Sequence, residues 1–332
     1  MRQSNFELLR IVAMLLVLTV HAGFYALGMP TAETGTLAAV TRIFFQSVSV
    51  IAVLLFVLIS GWFGIRTKVK SVLRFVLQCL FYSLIIYLIM LCLGRAKFDW
   101  KSVQNVLFFV NSFWFVKAYM MLMILAPILN AFVEHADERQ FRWLLVAFFV
   151  FQSIYGWLTT GAAWLERGYS VVAFIGLYML ARYVRLYPSR PFTLHRKYDM
   201  LIYWIIVIAQ TVVLLAMIRH GRTPDTCDKV FRLTSPFVIA EALYLMLYFS
   251  KLNFQNKFVN WMAGSCFAVF LIQQNPYFGR PIYAHTLQHI YAISSGPVCV
   301  LLFAAYILII FVSAILLDQI WKLIDCRCFA KR

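Results

Sequence analysis

Glu7-Leu8-Leu9-Arg10-Ile11-Val12-Ala13-Met14-Leu15-Leu16-Val17-Leu18-Thr19-Val20-His21 decides the fold class of this chain. The stretch opens an apolar run over residues 7–29. A helix needs about 20 apolar residues to cross the hydrocarbon core of a bilayer, so this run reads as a membrane helix. Similar runs follow at 39–63, 72–93, 112–133, 141–158, 169–187, 199–218, 231–250, 261–277 and 297–321, of which the fifth and ninth are short. They are continuous rather than alternating in polarity. Open sheets leave backbone groups unpaired in lipid, and a barrel needs alternation, so strands are excluded. The sequence predicts an all-α, polytopic membrane protein with about 10 transmembrane helices.

Composition points the same way. Of 332 residues, 63% are hydrophobic and 13% charged. A soluble chain is about half apolar and about a quarter charged. No soluble fold of this size can bury so much apolar surface. That excludes a soluble nucleic-acid binder, although 30 Lys+Arg against 13 Asp+Glu give a net charge of +17. The basic excess reads instead as topology signal and as contact with anionic lipids or phosphates. With ten helices and both termini in the cytoplasm, 19 basic residues fall on the cytoplasmic side and 10 on the other, with Lys117 inside a helix. This bias predicts an N-in, C-in protein of the cytoplasmic membrane. Without a repeat or a low-complexity linker, residues 1–332 read as one transmembrane domain with no separate soluble domain. The first run is too long for a cleavable signal peptide and has a charge inside it. The cysteines make no framework: Cys79, Cys92, Cys266 and Cys299 sit in apolar runs, and Cys326-x-Cys328 is a weak metal signal.

Ionisable residues inside spans are costly and call for a reason. Arg10 and His21 are eleven residues apart. That is about three helical turns, which puts both on one face roughly 16 Å apart along the axis. Singly, Arg10 reads as a snorkelling anchor and His21 as an inter-helix hydrogen bond. Their shared face favours a joint role. Histidine is the side chain best suited to act as a general base near neutral pH.

Three further stretches accompany this pair. They are Phe56-Val57-Leu58-Ile59-Ser60-Gly61-Trp62-Phe63; Trp114-Phe115-Val116-Lys117-Ala118-Tyr119 running on to Ala126-Pro127-Ile128-Leu129-Asn130; and Phe270-Leu271-Ile272-Gln273-Gln274-Asn275-Pro276. Together with the Arg-x10-His helix, their order and spacing resemble the membrane acyltransferase-3 family. The resemblance runs from residue 7 to 276. Gln273 departs from it, standing where the family carries a second histidine. The family's paired arginines before the third helix are matched loosely by Arg66, Lys68, Lys70 and Arg74.

The resemblance implies transfer of an acyl group, usually acetyl, to a hydroxyl of a cell-envelope polysaccharide or lipid-linked sugar. The donor it implies is acetyl-CoA or another acyl-CoA on the cytoplasmic side. Coenzyme A carries phosphates, which Arg and Lys bind strongly, so Arg66, Lys68, Lys70 and Arg74 are candidates for the donor's head group. The same four also satisfy the positive-inside rule alone. The basic segment 182–197 reads as topology or lipid contact.

Trp114 and Lys117 share one face of their helix and are candidates for the acceptor. Gln273 and Asn275 could bond a sugar or join helices. Glu241 reads as a buried partner for a cation such as Lys117, or as a group on the acceptor path. Glu241 or Asn275 is also a candidate to orient the His21 imidazole. His285 and His289 have metal-ligand spacing but lack a third ligand, so no metal is expected. Two other functions stay open from residues alone: a small-solute transporter, which should show two related halves, and a lipid-linked glycan polymerase, which should show large outer loops.

Overall fold

The computed structural model describes residues 3–329 except 111, 160, 161 and 163, and describes no side chains at 166 and 326–329. The Cys326 and Cys328 thiols therefore lie outside the described residues. Among those described, every regular element is a helix. In chain order they are α1 Ser4–Val20, α2 Thr36–Ser49, α3 Ala52–Phe63, α4 Val69–Cys92, α5 Trp100–Phe108, α6 Trp114–His135, α7 Glu138–Gln152 and α8 Val171–Leu186. They continue as α9 Arg196–Arg219, α10 Pro224–Asp228, α11 Pro236–Ser250, α12 Lys257–Ala263, α13 Cys266–Gln273, α14 His285–Ile293 and α15 Gly296–Phe329. Eight stretches among the described residues are long and apolar enough to cross a membrane, α2 with α3 and α10 with α11 each forming one of them.

Two expected spans take a different form. The run at 169–187 gives α8, of 16 residues, begun by Ser170, whose hydroxyl accepts from the Ala173 amide. The run at 261–277 is broken, because α12 stops at Ala263 and α13 restarts at Cys266. Side chains from α15 hold the break: Lys322 Nζ and Gln319 Nε2 donate to Ser265 Oγ at 2.6 and 3.2 Å.

Enclosure follows side-chain character. Helix α3 is apolar all round and sits in the interior, packed on α1, α8 and α11. Its closest approach is at Gly61, where a Cβ would stand 2.5 Å from the Tyr178 carbonyl oxygen of α8. Only glycine lets those backbones meet. Helix α15 lies at the periphery and is tied to α4 by polar groups. Tyr82 donates its hydroxyl to Asp318 at 2.8 Å, and Arg74 Nε stands 2.8 Å from Asp325 Oδ1.

Candidate active site

Helix α1 carries the centre of the site. Arg10, Met14 and Val17 line a cavity of about 290 Å³ together with residues of α3, α4, α6, α12 and α13. These positions and His21 fall at i, i+4, i+7 and i+11, which is one helical face. At His21 the α-helix gives way to a π turn, His21–Tyr25. Such turns put an extra residue in the helix and are frequent at functional positions. Two outside groups take up the disturbed backbone. Gln46 Oε1 accepts from the Phe24 amide at 3.3 Å, and Tyr283 donates its hydroxyl to the Leu18 carbonyl at 2.7 Å.

A second cavity, of about 520 Å³, lies beyond the π turn and is lined in part by Tyr25, Trp114, Lys117, Gln274 and Asn275. Val17 lines the first cavity and Tyr25 the second, and His21 is four residues from each.

The imidazole is held by the end of α13. Its Nδ1 is 2.9 Å from Gln273 Oε1. An amide oxygen only accepts, so Nδ1 carries the proton. Gln274 Nε2 lies 2.9 Å from Nε2 and 3.0 Å from Nδ1, and of the two only the unprotonated Nε2 can accept from it. The tautomer set by these two amides leaves Nε2 as the basic atom. Neither Glu241 nor Asn275 is the partner that the sequence suggested. Glu241 is buried in α11 and accepts from Gln210 Nε2 at 2.8 Å. Nor does Lys117 pair with Glu241: its ammonium donates to the carbonyls of Phe109 and Val110 at 3.1 and 3.2 Å. Asn275 accepts from the Tyr277 amide at 3.0 Å and so shapes the turn after α13.

At the other end of the first cavity Arg10 is paired with Glu7 one turn earlier on α1. Glu7 is buried, and the sequence reading passed over it although i, i+3 spacing on a helix pairs such charges. Tyr119 and Ser60, also in the cavity wall, share a hydrogen bond of 2.8 Å.

The loop after α3 is pinned at several points. Asn130 Nδ2 donates to the Ile65 carbonyl at 2.9 Å, the Ile65 amide donates to Tyr178 at 3.0 Å, and Thr67 donates to the Met123 carbonyl at 2.6 Å. Arg66, Lys68, Lys70 and Arg74 are exposed along this loop and the first turns of α4. Phe75, next to Arg74, lines the cavity that Arg10 also lines. Part of the basic segment 182–197 serves packing, since the Arg185 guanidinium lies 5.8 Å from the Trp62 ring centre and 5.5 Å from that of Phe63.

A family model for an acyltransferase domain matches residues 3–318 of the 332. The chain belongs to the acyltransferase-3 family. No curated relative and no solved structure matches it. This acyltransferase is a membrane enzyme that moves groups other than aminoacyl groups, which sets aside the transporter reading. Its match covers all four motifs that carried the resemblance. Among its described residues no three His, Cys, Asp or Glu side chains cluster as metal ligands.

Proposed function

We propose that this acyltransferase moves an acyl group, acetyl in the simplest case, from cytoplasmic acyl-CoA to a hydroxyl of a cell-envelope polysaccharide or lipid-linked sugar. In this reading the acyl-pantetheine arm enters the first cavity from the Arg10 end. Arg66, Lys68, Lys70 and Arg74, with Arg10, hold the phosphates of the head group. The acceptor lies in the second cavity against Trp114, Lys117, Asn275 and Gln274, while Gln273, which does not line that cavity, holds the imidazole. Glu241 acts at a distance, by fixing α11 to α9 through Gln210.

The chemistry needs one base. His21 Nε2 takes the proton of the acceptor hydroxyl, whose place Gln274 Nε2 fills in the resting site. The acceptor oxygen attacks the thioester carbonyl, the C–S bond breaks, and the imidazolium returns its proton to the thiolate that leaves. A base placed within hydrogen-bond reach contributes about 10²–10⁴-fold to such a step. The observation that carries this reading is the His21 imidazole, its Nδ1 proton directed at Gln273, four residues from the wall of either cavity. The direct test is transfer of label from radiolabelled acetyl-CoA to envelope glycan by the purified protein. His21→Ala should transfer none above background. A properly inserted His21→Ala protein with near-normal transfer would refute the reading.

The same reading holds that 1–332 is one domain with ten crossings, α8 and the α12–α13 pair being the two short ones, and with both termini in the cytoplasm. It follows from the charge bias across the loops. Single cysteines at 35, 190 and 329 test it. Position 35 should label from outside the cell, and 190 and 329 should not. External labelling at 329 breaks the topology.

A further inference from the structure

The second cavity has a charge that nothing within it balances. Lys117, at the start of α6, and Arg280, in the turn Gly279–Ala284, both line it. Among the described residues no Asp or Glu is in its wall. Neither cation forms an ion pair among the described residues. Lys117 spends two of its three N–H groups on the carbonyls of Phe109 and Val110, which fixes the ammonium and leaves one donor free. The Arg280 guanidinium is positioned over the Tyr25 ring, 5.4 Å from its centre. A guanidinium stacked in this way keeps its edge donors for a ligand. Ser112 Oγ, also in the wall, is buried with no hydrogen-bond partner among the described residues.

These groups sort by the part of a ligand they suit. Trp114 and Tyr25 offer ring faces, Ser112 and Gln274 offer neutral hydrogen bonds, and Lys117 and Arg280 offer fixed positive charge. Two cations in one cavity repel each other, and an anion between them removes that repulsion. Gln274 joins this cavity to His21, 2.9 Å from the imidazole Nε2. We infer that the acceptor is an acidic sugar, whose anionic group is held by Lys117 and Arg280 while its reacting hydroxyl displaces Gln274 at His21. The inference rests on the assignment of this cavity to the acceptor. The recognised chemistry is an anionic oxygen group on a sugar ring, and both a carboxylate and a phosphate supply it.

Binding measured without turnover tests the inference apart from the reaction. The full-length protein in nanodiscs is titrated with two matched pairs of probes. The first pair is tetragalacturonate and its methyl ester; the second is N-acetylglucosamine 1-phosphate and N-acetylglucosamine. At least one charged probe should bind roughly tenfold to a hundredfold tighter than its neutral partner, the scale of a charge-assisted contact. The pair with the larger difference identifies the anion. The double variant Lys117→Gln, Arg280→Gln should erase the difference. Lys101→Gln, on α5 and outside the cavity, should keep it and serves as the folding and charge control. Equal affinity within both pairs, or no binding by any probe, overturns the inference. Charge-dependent binding without label transfer to any envelope glycan would instead break the transferase reading of the site and leave the anion site standing.

Discussion

The two cavities that flank His21 are built from different side chains. The first is walled by Met14, Val17, Phe56, Phe75, Phe115 and Phe270, with Arg10 as its one charged group. The second brings Ser112, Lys117, Gln274, Asn275 and Arg280 together. A pantetheine arm is slender and sparsely polar, and an apolar passage accommodates it at little desolvation cost. A sugar has a hydroxyl on almost every carbon, and each one buried without a partner costs about 1–3 kcal/mol. Under the proposed function, the contrast implies a division of labour in which thioester and hydroxyl occupy separate compartments.

The largest expected effect removes the meeting point. His21→Ala should lower turnover by roughly a hundredfold or more, the usual scale for a general base, while donor and acceptor still bind. His21→Gln should insert normally and stay inactive, since it can mimic the hydrogen bonds but cannot carry the proton. Loss of donor affinity in either variant would mean that the cavities are not independent. Next in size is the donor side alone. Arg74→Ala should raise KM for acyl-CoA by roughly tenfold to a hundredfold, as expected for one lost phosphate contact, and leave the acceptor's KM unchanged. Asp325→Asn breaks the Arg74 ion pair and keeps the cation, so KM should stay within about twofold. A rise in the acceptor's KM with Arg74→Ala would move the basic cluster to the wrong side of the comparison. The smallest effect is expected for Gln273→Leu. It deletes one neutral hydrogen bond to the imidazole, worth about 0.5–1.5 kcal/mol, and should lower kcat by about twofold to tenfold with both KM values kept. A change in KM without a change in kcat would make Gln273 a binding group and not a positioning one.

Much of this site could be read from spacing. Arg10 and His21 lie on one helical face because eleven residues make about three turns, and that arithmetic needs no tertiary information. The partners of His21 were not readable in the same way. Gln274 stands just past the end of α13, and only the close of that helix turns its amide onto the ring. Glu241 illustrates the opposite error. A buried carboxylate in a span suggests a cation, but its partner is the neutral Gln210 on α9, because α9 and α11 are neighbours and α6 is not against that face. The broken run at 261–277 was hidden for a related reason. Its apolar composition is unbroken, and the interruption depends on α15 supplying donors to Ser265 from a distant part of the chain.

The polar tie between α4 and α15 bears on how the protein is made. Helix α15 carries Asp318, fully buried, and is made well after α4, since Asp318 lies 236 residues beyond Tyr82. An aspartate at the centre of an inserting helix costs about 2.5–3.5 kcal/mol, and each Leu, Ile, Val or Phe there returns about 0.3–0.6 kcal/mol. The best window of this helix has a mean hydropathy of 3.0, the highest of the eight candidate spans. Its excess of apolar residues lets it enter the bilayer with the aspartate paired only to Lys322, one turn on in the same helix. By then α4 is in place, with Tyr82 ready to donate to Asp318. Helix α15 thus meets α4 within the lipid, so this contact is made by docking and not by insertion.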